Sequence, residues 1–156
     1  MKSLLFVCLG NICRSPTAKA VFDHKLAEAE LTLSTDSAGT GDWHVGQPPD
    51  ARSQAFALQW GVDMSGQRAR QVCVADFSQF DRIYAMDRAN LKVLRQMAPG
   101  GSRARVELVM SLAPDYGLEE VPDPYYGGDQ GFRQVIDMLE VAAERLIREL
   151  KSGRRR

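Results

Sequence analysis

The sequence is poor in the residues from which metal sites and disulfide frameworks are built. Its 156 residues include two histidines and three cysteines, and no Cys-x-x-Cys or His-Glu-x-x-His spacing occurs. A small, odd number of cysteines does not make a disulfide framework, and the missing spacings argue against a zinc site. We therefore expect free thiols in a reducing cytoplasm and no metal ion.

Long apolar runs and an excess of one charge are also missing. Twenty basic and twenty acidic residues leave a formal net charge of zero. The composition thus favours neither a nucleic acid nor a membrane surface as a partner. The apolar run at 4–7 is too short for a signal peptide or a membrane span. We interpret 1–152 as one domain and 153–156 as a basic, solvated tail.

Strand and helix patterns alternate four times along the chain. Residues 3–7 are almost wholly apolar, which is typical of a strand buried on both faces of a parallel sheet. The strands are predicted at residues 3–7, 33–38, 81–86 and 106–110, and the helices at 16–30, 51–60, 88–97 and 132–150. With no internal repeat, this pattern predicts a single-domain, three-layer α/β fold. Its four-stranded, parallel, twisted sheet is flanked by helices on both faces.

Residues that favour helix ends mark several of these boundaries. Ser15 is predicted to cap the first helix, with Pro16 at the first helical position. Asp50 is predicted to cap the second helix, and Gly61 to end it in a left-handed conformation. The prolines and glycines of 112–131 predict an irregular segment before the last helix.

The segment FVCLGNICRSP, residues 6–16, joins the first predicted strand to the first predicted helix. Cys8 lies at the carboxyl end of the strand, where parallel sheets bind ligands. Gly10 and Asn11 are the residue types that most readily adopt positive φ, so the loop can turn backbone N–H groups inward as an anion cradle. Arg14 adds a planar guanidinium that can bind two oxygens of an oxyanion.

This loop indicates nucleophilic chemistry on an oxyanion. Its positive surroundings favour the thiolate form of Cys8, which can attack phosphorus while Arg14 and the loop amides stabilise the equatorial oxygens. The departing alcohol oxygen needs a proton. Asp123, stiffened by a proline on each side, is our candidate for the acid. The plainer alternatives are a structural cysteine beside a surface arginine, and a turn residue at Asp123.

Together, CLGNICRS at 8–15 and DPYY at 123–126 resemble the low-molecular-weight protein tyrosine phosphatases. The likeness continues in SAGT at 37–40, DWHVGQPPD at 42–50, ARQ at 69–71 and MDRANL at 86–91. It implies a phosphatase domain that hydrolyses phosphotyrosine and small aryl phosphates without a metal or cofactor. Cys8 would be the nucleophile, Arg14 the phosphate binder, and Asp123 first the general acid and then the base for water.

The resemblance also implies roles for the residues around the nucleophile. Asn11, Ser15 and Ser37 would form the polar network that supports the loop. Many animal members complete that network with a histidine, at a position where this chain has Gln67. The phosphate would be bound by the whole loop, Leu9, Gly10, Asn11, Ile12, Cys13, Arg14 and Ser15.

Aromatic residues are implied at the wall of the substrate crevice. Trp43, Tyr125 and Tyr126 match crevice positions in family members, and an aromatic slot suits a flat phenyl ring better than the shorter phosphoserine. We expect His44 to be a surface residue. Cys13 is either a small buried side chain or, as the resemblance implies, a redox guard that captures oxidised nucleophile as a disulfide.

Two other functions remain possible. An arsenate reductase of this fold needs two further cysteines late in the chain, but only Cys73 follows the loop, and we expect it to pack. A non-catalytic phosphotyrosine-binding or redox-sensing module has no use for the acid Asp123. The expected partners are phosphotyrosine-containing proteins, with tyrosine kinases as candidates, and neither nucleic acid nor membrane. The chain is expected to be a monomer or a weak homodimer.

Overall fold

The computed structural model describes residues 1–124 and 128–153. Its strands are β1 (Ser3–Cys8), β2 (Ser34–Gly39), β3 (Arg82–Ala85) and β4 (Arg105–Leu108). Its helices are α1 (Arg14–Glu28), α2 (Ala51–Trp60), α3 (Asp76–Gln79), α4 (Arg88–Met97) and α5 (Gly128–Gly153). Two short 3₁₀ segments, Val109–Leu112 and Pro114–Tyr116, follow β4.

The four strands form one parallel sheet in the order β2-β1-β3-β4. Strand β1 is central, and all six of its residues are buried, as its unbroken apolar run predicts. Cys8 pairs with Gly39 at the carboxyl end of the β1–β2 ladder. The predicted four-stranded parallel α/β fold is confirmed, and Cys8 lies at the edge of the sheet where such folds bind ligands.

Helices cover both faces of this sheet because β1 directs alternate side chains to opposite sides. Leu4 and Phe6 belong to one apolar core with the buried faces of α1 and α5. Leu5 and Val7 belong to a second core, which includes Leu94 of α4. Within the described part of the chain, no helix has the length and apolar character needed to cross a membrane.

Several boundaries differ from the sequence prediction. Helix α5 begins at Gly128, four residues before its first periodic apolar residue, and it continues through Gly153 into the predicted tail. Residues 154–156 of that tail lie outside the described residues. Helix α3 was absent from the prediction because four residues are too few to show a helical period. Cys73 is exposed, so its predicted packing role is wrong.

The predicted cap of α1 is also wrong. The helix begins at Arg14, and the N-cap residue Cys13 makes no side-chain cap hydrogen bond. Ser15 lies within the first turn and uses its hydroxyl for Cys8. Pro16 is therefore the third helical residue, still within the turn whose N–H groups have no helical partner.

The caps of α2 are confirmed. Asp50 accepts hydrogen bonds from the backbone N–H groups of Arg52 and Ser53, and Gly61 ends the helix at φ 100°. The backbone N–H of Asp50 also donates to the carbonyl of Ile12 at 2.7 Å. The N-terminus of α2 is thereby joined to the loop that follows β1.

Candidate active site

A pocket of about 400 Å³ opens at the carboxyl end of β1. It brings together the three residues predicted to be catalytic, Cys8, Arg14 and Asp123, although the first and last are far apart in the chain. The described residues that line it are Cys8, Leu9, Gly10, Ile12, Cys13, Arg14, Trp43, His44, Asp50, Arg52, Asp123 and Phe132.

The loop after β1 turns at Asn11, which has a φ of 57°. This turn directs the backbone N–H of Asn11 to Cys8 Sγ at 3.3 Å. Gly10 does not adopt the positive φ that we expected of it. It provides space instead, because a Cβ there would lie 3.1 Å from Cδ2 of His44. Asn11 alone therefore makes the turn that directs this amide to the sulfur.

A chain of buried hydrogen bonds runs from the sulfur to the edge of the sheet. Cys8 Sγ lies 3.0 Å from Ser15 Oγ. Asn11 Nδ2 donates to Ser15 Oγ at 2.8 Å and to Ser37 Oγ at 2.9 Å. Ser37 Oγ in turn donates to Gln67 Oε1 at 3.1 Å. The structure thus brings together the residues expected to support the loop, and Gln67 completes the network.

Arg70 holds the other end of the Asn11 side chain. Its backbone N–H donates to Asn11 Oδ1 at 2.9 Å, and its guanidinium pairs with Asp36 and the buried Asp76. Burial lowers the pKa of Arg70, but the bonds to Asp76 and Asp36 outweigh burial and leave that pKa above its ordinary value. In the sequence Arg70 contributed only to the family likeness, because no local pattern shows which carboxylates it meets.

Arg14 is held by partners that the sequence prediction missed. Its side chain is buried, and Nη1 donates to Asp87 Oδ2 at 2.7 Å and to the carbonyl of Val121 at 3.1 Å. Burial lowers the pKa of Arg14, whereas the bond to Asp87 and the charges nearby raise it above its ordinary value. A guanidinium has five N–H donors, so these two bonds fix its position and leave donors for an anion.

Asp87 is itself fixed because it caps α4. Its carboxylate accepts from the backbone N–H of Asn90, and the Asn90 side chain accepts from the backbone N–H of Asp87. In this capping box, the side chain of each residue accepts a hydrogen bond from the backbone N–H of the other. The motif Asp-x-x-Asn at the start of a helical pattern is a signal that could have identified the cap. Its bond to Arg14 depends on the tertiary fold.

Asp123 reaches the pocket from the irregular segment before α5. It is exposed, lies between Pro122 and Pro124, and lines the same pocket as the loop. Its carboxylate is near enough to act electrostatically on Arg14 and Cys13. The predicted crevice residues Tyr125 and Tyr126 lie outside the described residues.

Cys13 is half-buried beside the nucleophile and lines the same pocket. Burial raises its pKa to about 12, although the hydroxyl of Ser53, 3.0 Å from the sulfur, lowers it in part. Cys8 and Cys13 are both free thiols. Cys13 is therefore a protonated thiol at neutral pH, and its redox role stays a prediction.

Trp43 forms the exposed part of the pocket wall, with 66% of its surface accessible. Its ring lies against Gly41, where an added Cβ would come within 1.8 Å of Cζ3. His44, expected at the surface, is half-buried and lines the pocket next to Gly10. An added Cβ at Gly41 would overlap the indole ring, which explains why a glycine occupies this position.

Another part of the pocket wall contains Arg52 and Phe132. The guanidinium carbon of Arg52 lies 5.6 Å from the centre of the Phe132 ring. Phe132 stacks in turn on Phe56, with ring centres 6.0 Å apart. Arg52 and Phe132 were not predicted as site residues, because each lies in a predicted helix and no local pattern shows that the two helices meet at the pocket. No cluster of three or more His, Cys, Asp or Glu suited to a metal ion occurs among the described residues.

The arrangement suits attack on a tetrahedral oxyanion. The sulfur lies within hydrogen-bond distance of an amide and a hydroxyl, and a fixed guanidinium and a carboxylate line the same pocket. Charge that develops on an oxyanion here meets donors that need not rearrange. The apolar surfaces of Leu9, Ile12 and Trp43 surround the outer part.

The whole chain is similar to phosphatases of known sequence and structure. The family model for low molecular weight phosphotyrosine protein phosphatase matches residues 3–156. The low molecular weight protein-tyrosine-phosphatase YfkJ of Bacillus subtilis is 40% identical over 153 residues, which cover 97% of each chain. A protein tyrosine phosphatase structure from Entamoeba histolytica matches with a TM-score of 0.92 and 41% identity, covering 99% of each chain. The structure of the drosophila arginine phosphatase matches with a TM-score of 0.90 and 35% identity, covering 97% of this chain and 98% of that one.

Proposed function

Because the chain belongs to the low molecular weight phosphotyrosine protein phosphatase family, we propose that it hydrolyses phosphotyrosine and small aryl phosphates through a cysteinyl-phosphate on Cys8. One observation carries the proposal. Cys8, Arg14 and Asp123, which have complementary roles in such a reaction, line a single pocket. The prediction of a hydrolase of the protein tyrosine phosphatase class is confirmed at the level of the family.

In the first step the Cys8 thiolate attacks phosphorus, and the bond from phosphorus to the aryl oxygen breaks. The Asn11 N–H and the Ser15 hydroxyl stabilise the negative sulfur before attack. Asp123 gives its proton to the departing oxygen, so that a neutral phenol leaves. The product is a phosphate ester of the Cys8 sulfur.

In the second step water replaces the sulfur. Asp123, now ionised, removes a proton from a water molecule, and the oxygen of that water attacks phosphorus. The bond from phosphorus to Cys8 Sγ breaks, inorganic phosphate forms, and the thiolate is restored. The same carboxylate can serve both steps because the leaving group and the water occupy the same side of the phosphoryl group.

Arg14 stabilises charge on the equatorial oxygens in both steps. Its bonds to Asp87 and to the Val121 carbonyl hold the guanidinium in place before the substrate arrives. A donor that is already oriented has no reorganisation cost at the transition state, which is why such groups contribute strongly to catalysis. Together with the loop from Leu9 to Ser15, Arg14 forms the proposed phosphate site.

The pocket walls favour an aryl group next to the phosphate. Leu9, Ile12 and Trp43 offer apolar surface that a phenyl ring can cover. The side chains of Leu9, Ile12 and Trp43 have no acceptor for the N–H groups of a guanidinium and would strip its hydration. We therefore propose phosphotyrosine in preference to the phosphoarginine that the name of the drosophila arginine phosphatase suggests. Phosphoserine is too short to place its phosphate at Cys8 and still contact Trp43.

Further roles follow the same reasoning. Asn11, Ser15 and Ser37 would hold the loop, and Cys13 would condense with an oxidised Cys8 sulfenic acid to give a disulfide and water. Phosphotyrosine proteins, among them tyrosine kinases, are the proposed partners of domain 1–152. We also propose a cytoplasmic monomer or weak homodimer.

The test compares wild type with Cys8→Ser and Asp123→Ala. We expect Cys8→Ser to lose turnover of a small aryl phosphate while still binding inorganic phosphate, since an alcohol at this position cannot supply the thiolate. We expect kcat of Asp123→Ala to fall about a hundredfold. Phosphoserine and phosphoarginine serve as poor-substrate controls. Full activity of Cys8→Ser would contradict the mechanism, and thioredoxin-coupled arsenate reduction would favour the alternative enzyme.

A further inference from the structure

A second groove, of about 500 Å³, lies between α4 and the edge strand β4. The described residues that line this α4 groove are Arg88, Leu91, Lys92, Arg95, Gln96 and Leu108. Three of the six are basic, and none of these described lining residues is acidic. The α4 groove shares no described residue with the catalytic pocket, and no step of the proposed reaction uses it.

Two of the basic residues carry charges that the fold does not neutralise. Lys92 and Arg95 are exposed, and neither has a carboxylate partner among the described residues, which include all 20 acidic residues of the chain. Arg95 donates to the Val106 carbonyl at the long distance of 3.5 Å. Both charges are therefore available to an anionic ligand.

The first turn of α4 has a different electrostatic character, because acidic residues already engage it. Glu119 pairs with the guanidinium of Arg88, and Glu120 accepts from the Arg88 backbone N–H at 2.8 Å. A carboxylate of a ligand would be repelled by these two glutamates and attracted farther along the helix, at Lys92 and Arg95.

The shape of the α4 groove suits an extended peptide. Leu91 and Leu108 are half-buried and pack against the second apolar core, whereas Lys92 and Arg95 are exposed. Apolar side chains of a peptide can cover the leucines while its carboxylates meet the cations. A concave surface between a helix and a strand fits a peptide better than the flat surface of an anionic membrane.

Helix α4 also sets the distance between the groove and the catalytic pocket. Asp87, the residue before the helix, contacts Arg14 at 2.7 Å. At 1.5 Å per residue, Lys92 and Arg95 lie about 7 and 12 Å along the helix from Asp87. An extended peptide covers about 3.3 Å per residue, so a substrate with its phosphotyrosine in the pocket reaches these cations with residues about three to six positions away.

We propose that the α4 groove docks an acidic segment of the substrate protein, located about three to six residues from the phosphotyrosine. The docking site rests on the proposed function. It narrows the substrate class to phosphotyrosine proteins that carry aspartates or glutamates at this separation.

The test uses phosphotyrosine peptides with three glutamates centred about five residues from the phosphotyrosine, on its amino or carboxyl side, and matched peptides with glutamines there. For wild type at low salt, we expect kcat/KM for the glutamate peptide to be about fivefold higher on at least one side, as two exposed ion pairs would give. Lys92→Gln/Arg95→Gln should reduce this ratio to about one, and Lys92→Glu/Arg95→Glu should invert it. Added salt should weaken the preference, because it screens exposed charges.

Arg148→Gln/Lys151→Gln is the matched control. It removes one arginine and one lysine, also three positions apart, from the exposed side of α5, and so makes the same change in net charge. This variant should keep the wild-type ratio. All of these variants should hydrolyse a small aryl phosphate at the wild-type rate, because that substrate does not reach the α4 groove.

Two results would overturn the docking site while the phosphatase assignment stands. One is equal kcat/KM for the glutamate and glutamine peptides on both sides, and the other is a preference for glutamate that survives in Lys92→Glu/Arg95→Glu. Wild-type binding to phosphatidylserine vesicles that this variant loses, without any peptide preference, would assign the groove to a membrane surface instead. Failure of wild type to hydrolyse a small aryl phosphate would overturn the proposed function and the docking site with it.

Discussion

Arg14 and Asp87 are 73 positions apart in the chain, yet their side chains meet at 2.7 Å in a half-buried ion pair. Asp87 has two tasks, since its carboxylate also caps α4. The pair therefore links Arg14, the proposed phosphate ligand, to a helix on the other face of the sheet. Removing the charge and removing the cap are separable changes, and each has its own expected effect.

We expect Asp87→Asn to lower kcat/KM for an aryl phosphate about tenfold with little loss of stability. The amide can still cap α4 and accept from Arg14, but it lacks the charge that fixes the guanidinium. Asp87→Ala should lose about 1 kcal/mol of stability in addition. Asn90→Ala is the control, because it breaks the capping box without contacting Arg14. Steady-state kinetics and thermal unfolding give both quantities, and wild-type kinetics in Asp87→Asn would show that the pair is dispensable.

The network under the loop predicts a coupled loss of stability and activity in Ser37→Ala. This change removes the acceptor for Asn11 Nδ2 and the donor for Gln67 Oε1, so buried polar groups lose partners at a cost of about 1–3 kcal/mol. Asn11 is then less firmly held at positive φ, and we expect kcat to fall about tenfold. Urea unfolding and kinetics measure the two effects.

Ser3→Ala is the matched control for the network, because Ser3 is a buried serine at the amino end of β1, away from the pocket. It should lower stability without lowering kcat. If Ser37→Ala were equally active, the network would be a feature of stability alone.

Gly41→Ala tests whether the Trp43 ring needs the space next to Gly41. The added methyl group would occupy space that the indole ring now fills, and the exposed ring can move outward to make room. We expect KM for an aryl phosphate to rise about fivefold, while inhibition by inorganic phosphate, which has no ring, stays near wild type. Gly66→Ala, where an added Cβ meets nothing within 4 Å, is the control.

A double variant separates the ring from the glycine. In a Trp43→Ala background, Gly41→Ala should have no further effect on KM, because residues that act through one contact are not additive. If Gly41→Ala changed KM further in this background, Gly41 would act through the backbone conformation rather than through its contact with Trp43.

Alkylation distinguishes Cys13 of the loop from Cys73. Because burial raises the pKa of Cys13 to about 12, its thiol stays protonated in the folded protein at pH 7.5 to 9 and should resist iodoacetamide. The exposed Cys73 should react in the same sample and serves as the internal control. Peptide mass spectrometry after timed quenching measures each site, and rapid native labelling of Cys13 would contradict its raised pKa.

The raised pKa of Cys13 also makes the stability of the protein depend on pH. The folded state holds the Cys13 proton above the ordinary thiol pKa of 9.0, so this stabilising contribution is complete below pH 9 and is lost as pH rises toward 12. Because Cys13→Ala lacks this thiol, it should lose less stability than wild type as the pH rises above 9. Chemical unfolding of both proteins between pH 8 and pH 11 gives the comparison.

Local chemistry explains which predictions succeeded. The apolar run of β1 implied a strand buried on both faces. Asp50 caps α2 through its own side chain, and Gly61 ends α2 because glycine readily adopts positive φ. The wrong cap at Ser15 has the opposite cause. Its hydroxyl had a choice between a helix N–H and the sulfur of Cys8, and only packing decided between them.

The sequence by itself determined the chemistry of the loop, because Cys8, Asn11 and Arg14 lie within seven residues, and their spacing depends only on the local backbone. The tertiary structure alone decided which groups fix them. Asp87 reaches Arg14, and Gln67 completes the network, through contacts between segments that are distant in the chain. Such partners leave no local period or spacing in a sequence, since the packing of helices on the sheet sets their distances.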